Sequence, residues 1–153
     1  MKIICAVIVI CAALFSSGKC FSGEAPKFTL PDIEGKNVKL NAVIGKKVIV
    51  LNFWASWCSA CKEEIPQLKI LQASPGAGNV VFLGINVGES KNETKRFIEK
   101  YDYPYRVLTD TDRKIAGKYG LIRLPTTVVI GKDGKIVFSG PNPPQDLMFK
   151  HAD

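Results

Sequence analysis

Residues 48–72 constrain the fold of this chain most, because an apolar run is followed there directly by a helical pattern. Val48 to Phe53 contains a single Asn in an otherwise apolar run, which predicts a strand buried on both faces. A helix is predicted from near Cys58 to about Gln72, with a kink at Pro66. Its apolar side chains recur at helical spacing, at Ile65, Leu68 and Leu71.

The pattern after residue 24 alternates between strand-like and helix-like segments, which indicates one α/β domain over residues 24–153. A chain of 153 residues has room for one such core. The other predicted elements are an N-terminal hairpin (Phe28 to Leu30 and Asn37 to Leu40), a strand from Val80 to Asn86, helices from Ser90 to about Tyr101 and from Asp112 to Tyr119, a second hairpin (Thr126 to Ile130 and Lys135 to Ser139) and a short terminal helix around Gln145 to Lys150.

Residues 1–22 do not fit that domain. Lys2 precedes an uncharged run, and small residues and Lys19 follow it, which is typical of a signal peptide. The uncharged residues between the two lysines, 3–18, are fewer than the roughly 20 that a membrane-spanning helix needs. We therefore expect residues 1–22 to be a signal peptide or, as the alternative, an N-terminal membrane anchor.

Export changes how the five cysteines are counted. Only Cys58 and Cys61 fall inside the domain. A disulfide between two cysteines three positions apart encloses too short a loop to be the structural crosslink of a secreted protein. A zinc site is disfavoured, because no second pair exists and the one histidine, His151, lies in the tail. Redox chemistry is the favoured interpretation, and no metal or other cofactor is expected. The remaining cysteines lie in or at the border of the apolar run, at Cys5, Cys11 and Cys20.

The position of the pair predicts different roles for its two members. Cys58 follows a buried strand and begins a helix, where unpaired backbone N–H groups and the positive end of the helix dipole favour a thiolate. Because the thiolate is the species that attacks disulfides, Cys58 is the predicted nucleophile. Cys61, one helical turn later, is predicted to be less accessible and to act as the resolving thiol.

Glu64 is the predicted proton acceptor for Cys61. It lies about 60 degrees from Cys61 around the helix, whereas Glu63 lies about 160 degrees away. Partial burial would raise the pKa of the Glu64 carboxyl group and make it a general base. The alternative is that Glu64 is only an early-helix acid that interacts favourably with the helix dipole.

The charge of the chain indicates no nucleic-acid partner. The formal net charge is +7, from 21 Lys and Arg against 14 Asp and Glu, and it falls to about +5 without residues 1–22, which hold Lys2 and Lys19. The cations are scattered and interrupted by acids, so we interpret them as a solvated surface. Weak attraction to anionic lipid head groups or acidic partners is the alternative. We expect a monomer.

Four segments in order resemble the thioredoxin superfamily, and more narrowly the exported ResA/TlpA-type thiol-disulfide oxidoreductases. The likeness covers about residues 24–140. It rests on Leu51 to Pro66 (LNFWASWCSACKEEIP), Asn86 to Ser90 (NVGES), Leu108 to Arg113 (LTDTDR) and Leu124 to Thr127 (LPTT). The resemblance implies a three-layer thioredoxin-like fold, in which helices flank a central mixed sheet and a short N-terminal β-hairpin is added.

The resemblance also implies further site residues. The Leu124–Pro125 peptide bond would be cis and beside the cysteines, with Leu124 and the backbone before the proline in contact with substrate. Trp54 and Trp57 flank the cysteine site. Trp57, next to the nucleophile, is expected to shape the substrate contact, whereas Trp54 is expected to serve in packing. Glu64 matches the acid that ResA-type proteins place after the second cysteine, and Asn52 replaces the buried acid of cytoplasmic thioredoxins.

The implied function is reduction of disulfides in client proteins, in the periplasm or on the outer face of a bacterial cytoplasmic membrane. Apocytochrome c is the client that the family suggests, and a membrane thiol reductase is the expected electron donor, with an N-terminal membrane tether as an option. Ser59–Ala60 differs from the Gly-Pro or Glu-Pro of relatives, and these residues tune the reduction potential. An oxidase that installs disulfides therefore stays open.

Two further functions are weighed against reduction. A copper-binding carrier would pair its cysteines with a suitably placed histidine or methionine, and the tail position of His151 disfavours it. A peroxidase, with its antioxidant activity, needs a peroxidatic cysteine in a loop with Pro and Thr, and nothing before Cys58 supplies one.

Overall fold

The computed structural model describes residues 23–142. The predicted signal peptide or anchor at residues 1–22 and the predicted helix around Gln145 to Lys150 lie outside the described residues. The strands and helices, in chain order, are β1 (Thr29–Pro31), β2 (Asn37–Lys39), β3 (Val48–Trp54), α1 (Ser59–Glu63), α2 (Ile65–Ala73), β4 (Val80–Val87), α3 (Lys91–Tyr101), β5 (Arg106–Asp110), α4 (Lys114–Lys118), β6 (Thr126–Ile130) and β7 (Ile136–Gly140).

Strand β3 is the centre of the main sheet and explains its mixed character. The strand order is β5-β4-β3-β6-β7, and β3 runs parallel to β4 but antiparallel to β6. Every residue of β3 is buried, as its apolar run predicts. Strands β1 and β2 form a separate antiparallel hairpin. The predicted α/β class, with a central mixed sheet and an added N-terminal hairpin, is confirmed.

Side chains of β3 alternate between two hydrophobic cores, one on each face of the sheet. The odd-numbered residues 49, 51 and 53 join the core that contains α4 and the N-terminal hairpin. Val48, Val50 and Trp54 join the other core, which contains α2 and α3. Asn52 has the same parity as this second set, so its polar side chain points into the layer that also contains α1 and α2.

Strand β5 is absent from the sequence prediction because only two of its residues, Val107 and Leu108, are apolar. Parallel pairing with β4 forms this strand, which the local pattern does not indicate. Its last residue, Asp110, accepts hydrogen bonds from the backbone N–H groups of Ile115 at 3.1 Å and Ala116 at 2.8 Å. These bonds satisfy N–H groups in the first turn of α4, which begins two residues later than predicted.

The single helix predicted from Cys58 to Gln72 is wrong in one respect, because the structure contains two helices. Helix α1 ends and α2 begins on either side of Glu64. Pro66 has no backbone N–H to donate to the carbonyl of Lys62, so the helical hydrogen-bond pattern is interrupted there. The predicted kink at Pro66 is thus a break centred on Glu64.

Candidate active site

The chain leaves β3 and places Cys58 at the N-terminus of α1. Cys58 is the N-cap residue, and its sulfur accepts a hydrogen bond from the backbone N–H of Cys61 at 3.2 Å. A disulfide joins the two cysteines, whose Cα atoms are 5.3 Å apart. Cys58 is 6% exposed and Cys61 1%. Both residues are buried, and Cys58 is the more accessible of the two.

Glu64 is a buried acid in the break between α1 and α2. The residue is 7% exposed, and its Oε1 accepts a hydrogen bond from Nδ2 of Asn52 at 2.9 Å. No described residue donates a hydrogen bond to the buried Oε2 atom. Burial raises the pKa of the carboxyl group from 4.5 to about 7, against the opposing effect of the Asn52 hydrogen bond. Glu64 can therefore exchange a proton near neutral pH.

The side chain of Asn52 forms hydrogen bonds on both ends of its amide. Besides Glu64, its Nδ2 group donates to the hydroxyl oxygen of Thr127 at 3.2 Å. Its Oδ1 atom accepts a hydrogen bond from the hydroxyl of Tyr103 at 2.7 Å. Asn52 and Thr127 are fully buried, and Tyr103 is buried as well. This network orients the amide so that its N–H side faces the Glu64 carboxyl group.

A second buried acid, Glu89, holds the loop that leads to the cysteines. Its Oε2 atom accepts hydrogen bonds from the backbone N–H of Ser56 at 2.8 Å and from Nδ2 of Asn86 at 2.6 Å. Its Oε1 atom accepts a hydrogen bond from the Ser56 hydroxyl. Asn86 accepts in turn from the hydroxyl of Thr94 at 2.9 Å. Since Ser56 lies between β3 and Cys58, this network fixes the backbone just before the disulfide.

A mainly apolar groove of about 340 Å³ lies beside the cysteine loop. Trp57 and Leu124 line it, together with Arg113 and Arg123. Trp57 is 65% exposed. The Leu124–Pro125 peptide bond is cis, and Leu124 packs against the core that contains both cysteines. Strand β6 begins directly after Pro125 and pairs with β3, which places the cis bond beside the loop that leaves β3. The structure thus brings Trp57 and Leu124 together in one groove, and Pro125 directly follows Leu124.

Metal-binding and membrane-spanning features are not found in residues 23–142. In that part of the chain, no three His, Cys, Asp or Glu side chains are placed to hold a metal ion. No helix there is long and apolar enough to cross a membrane. The longest helix of the range, α3, has 11 residues and buries only Thr94 and Phe97.

Sequence patterns do not identify every residue of this network. Asn52 carries a weak signal, because it interrupts an otherwise apolar strand. Glu89 lies in the segment Asn86 to Ser90, on which the family resemblance partly rests, but no role follows from that position. Tyr103 carries no signal at all, since its contact with Asn52 joins residues 51 positions apart.

A disulfide at the start of a helix that follows a buried strand, with a cis-proline beside it, is typical of thiol-disulfide oxidoreductases with a thioredoxin fold. Comparison with known proteins supports this class. Residues 22–139 match the AhpC/TSA family. The thiol-disulfide oxidoreductase ResA of Bacillus subtilis (strain 168) is 37% identical over 140 residues, which cover 86% of this chain and 78% of ResA.

Two further relatives agree with this assignment. ResA of Bacillus anthracis is 38% identical over 114 residues, which cover 74% of this chain and 65% of that protein. The solved structure of a secreted Mycobacterium tuberculosis disulfide oxidoreductase homologous to E. coli DsbE has a TM-score of 0.68 and 28% identity, covering 82% of this chain and 93% of that one. The chain therefore belongs to the AhpC/TSA family and is a thiol-disulfide oxidoreductase of the ResA type.

Proposed function

We propose that the chain is an exported reductase of disulfides in client proteins, with Cys58 as nucleophile, Cys61 as resolving thiol and Glu64 as proton acceptor. The observation that carries this proposal is the state of Glu64. It is a buried acid about one helical turn after Cys61, with one carboxyl oxygen unpartnered among the described residues. Its pKa of about 7 lets it accept a thiol proton and give it up again near neutral pH.

The proposed reaction is two successive thiol-disulfide exchanges. The Cys58 thiolate attacks one sulfur of the client disulfide, a Cys58–client disulfide forms, and the second client sulfur leaves as a thiolate. The Cys61 thiol then transfers its proton to the Glu64 carboxylate, and the Cys61 thiolate attacks the sulfur of Cys58. As the Cys58–Cys61 bond forms, the Cys58–client bond breaks and the client sulfur leaves as a thiolate. After proton uptake the client is a dithiol that has gained two electrons, and the cysteine pair that supplied them is left as the Cys58–Cys61 disulfide.

A second dithiol must reduce Cys58–Cys61 for another cycle. We assign this step to a membrane thiol reductase. Its dithiol would attack the Cys58–Cys61 disulfide, and the reductase would leave with its own cysteines joined in a disulfide while Cys58 and Cys61 return to thiols. Cys58 is the favoured point of attack because it is the more exposed of the pair. Protonated Glu64 would return its proton to the Cys61 thiolate as that group leaves.

Client recognition is assigned to the groove that Trp57 and Leu124 line. Its apolar lining suits a client side chain next to the disulfide. The backbone before the cis-proline is proposed to pair with an extended client segment, as the family resemblance implies. Within the class of disulfide-bearing clients, apocytochrome c with its haem-binding cysteines is the candidate we propose, because the family resemblance suggests it.

Export is part of the proposal. Residues 1–22 are assigned as a signal peptide or an N-terminal membrane anchor, and residues 24–153 as the thioredoxin-like domain in the periplasm or on the outer face of the cytoplasmic membrane. The description of the Mycobacterium tuberculosis relative as secreted supports this location. An oxidising compartment is also where client disulfides form and persist.

Replacement of the resolving thiol tests the proposal. In Cys61→Ser, the Cys58–client disulfide cannot be resolved, so mixed disulfides are expected to accumulate and to disappear on reduction. The measurement is non-reducing electrophoresis and mass spectrometry of adducts from the organism's own cell envelope. The matched control is Cys58→Ser, which should trap nothing although Cys61 remains. Absence of any Cys58-linked adduct in Cys61→Ser would contradict the proposed function.

The reduction potential of the domain decides the direction of electron flow. A value near the approximately −270 mV of thioredoxin supports a reductase, whereas one near the approximately −120 mV of DsbA indicates an oxidase. The measurement is equilibration of the Cys58–Cys61 pair with glutathione buffers.

A further inference from the structure

The position of Tyr103 in the buried network points to a role beyond packing. Its hydroxyl donates to Oδ1 of Asn52 at 2.7 Å, and both N–H groups of the same amide are engaged, by Glu64 at 2.9 Å and by Thr127 at 3.2 Å. Reversal of the Asn52 amide would present its oxygen to the Glu64 carboxyl group and its N–H side to the Tyr103 hydroxyl. The Tyr103 hydrogen bond therefore favours the orientation in which Asn52 donates to Glu64.

The sheet makes room for this contact at a glycine. Gly84 of β4 lies opposite Asn52 in the parallel register of β3 and β4. A Cβ atom at Gly84 would lie 2.6 Å from Cε1 and 2.7 Å from the hydroxyl oxygen of Tyr103. The Tyr103 ring, whose centroid lies 4.8 Å from that of the tilted Trp54 ring, thus reaches across β4 only because residue 84 has no side chain.

We propose that Tyr103 is a positioning residue that acts through Asn52 to favour the charged form of Glu64 against the effect of burial, and so helps to set the pH at which Cys61 releases a client. The inference rests on the proposed role of Glu64 as proton acceptor. A hydroxyl that donates to the amide carbonyl also polarises the amide and strengthens the N–H bond to the carboxylate. Loss of the hydroxyl would weaken that bond or permit the reversed amide, and both effects favour the protonated acid.

Other titratable groups near Glu64 do not replace this effect. Tyr103 and Tyr105 both lie near it. Burial is the main cause that raises their pKa values above the ordinary range, and the Glu64 charge contributes less. Both tyrosines are therefore neutral where Glu64 titrates. No lysine or arginine contributes to the shift in the pKa of Glu64. The cysteine pair at the N-terminus of α1 does not titrate while it is oxidised.

Tyr105 provides a matched control for Tyr103. The two residues are similarly buried, at 4% and 6% exposed, and both have raised pKa values. The hydroxyl of Tyr105 donates to the backbone carbonyl of Leu68 at 3.3 Å and not to Asn52. Replacement of either tyrosine by Phe keeps the ring and removes one buried hydroxyl.

The direct test is the titration of Glu64 in the oxidised full chain, followed by NMR of its ¹³C-labelled side-chain carboxyl. Tyr103→Phe is expected to raise the pKa of Glu64 by about one unit above its value of about 7. Tyr105→Phe is expected to change it by less than about 0.3 unit. In an Asn52→Ala background, Tyr103→Phe should have no further effect. An unchanged pKa in Tyr103→Phe, or equal shifts in both tyrosine variants, would overturn the inference.

A kinetic measurement separates this inference from the proposed function. The rate at which Cys61 resolves a preformed Cys58 mixed disulfide is followed against pH in the wild type, Tyr103→Phe, Tyr105→Phe and Glu64→Gln. Tyr103→Phe should move the acid limb of the pH–rate profile to higher pH, by the same shift that is expected for the pKa of Glu64. Glu64→Gln should abolish that limb. If the NMR shift appears but Glu64→Gln leaves the profile unchanged, Tyr103 still positions Glu64 while the proton-acceptor role of Glu64 fails.

Discussion

Two buried glutamates flank the cysteine loop, and they differ in how many hydrogen bonds they accept. Glu64 is 7% exposed and Glu89 8%. Three donors reach Glu89: the backbone N–H and hydroxyl of Ser56, and the amide of Asn86. Glu64 has one donor, Asn52, and its Oε2 atom has none among the described residues.

The difference shows that burial alone does not define the role of a carboxyl group. Full hydrogen bonding makes Glu89 a fixed structural element that holds the loop before Cys58. The unpartnered oxygen of Glu64 leaves an atom free to take a proton, and burial brings its pKa to about 7. Each glutamate is suited to one of these two tasks by its neighbours, not by its own chemistry.

The largest expected effect comes from removal of the structural acid. Glu89→Ala leaves three buried or partly buried donors without an acceptor, so we expect the free energy of unfolding to fall by about 4 kcal/mol. Urea unfolding of the oxidised protein at pH 7 measures it. Glu99→Ala, an exposed position on α3, is the control and should change stability by less than about 0.5 kcal/mol. A loss below about 1 kcal/mol for Glu89→Ala would refute the structural role.

Glu64→Gln should instead stabilise the folded protein relative to the wild type, by an amount that increases with pH. The folded-state pKa is about 7 and the ordinary value 4.5, so between these values the folded protein keeps a proton that the unfolded chain has lost. The contribution of Glu64 to wild-type stability therefore falls as pH rises through this window, by about 3 kcal/mol in total. Gln cannot ionise and avoids that loss.

The stability difference between Glu64→Gln and the wild type should rise by about 3 kcal/mol from pH 4 to pH 8. Urea unfolding of both oxidised proteins across this range measures the change. A pH-independent difference between Glu64→Gln and the wild type would contradict the assignment.

The smallest effect is expected from a single donor of the Glu89 network. Ser56→Ala removes the hydroxyl bond to Glu89 but keeps the backbone one, so we expect a loss of about 1 kcal/mol in the free energy of unfolding. Ser59→Ala is the control, since Ser59 is exposed and its hydroxyl has no hydrogen-bond partner among the described residues. If both variants unfold at the same urea concentration, the hydroxyl contributes nothing measurable to the network.

Particular elements show where prediction from the sequence succeeds. Strand β3 follows from its apolar run, and the capping box of Ser90 and Glu93 at the start of α3 is confirmed. Both patterns are local, because burial of an apolar run and capping of a helix involve residues close in sequence. Strand β5 and the helix break at Glu64 escape prediction, because pairing with β4 and the missing N–H of Pro66 outweigh the local pattern.

By itself, the sequence determined the α/β class and the placement of Cys58 and Cys61 at a strand-to-helix junction. Only the tertiary structure decided which groups surround Glu64. Asn52 meets Glu64 across 12 positions, Tyr103 across 51 and Thr127 across 75. Hydrogen bonding and desolvation depend on distance through space, and the pairing of distant strands creates that proximity. The pKa of Glu64, and with it the proposed chemistry of Cys61, is therefore a property of the folded sheet.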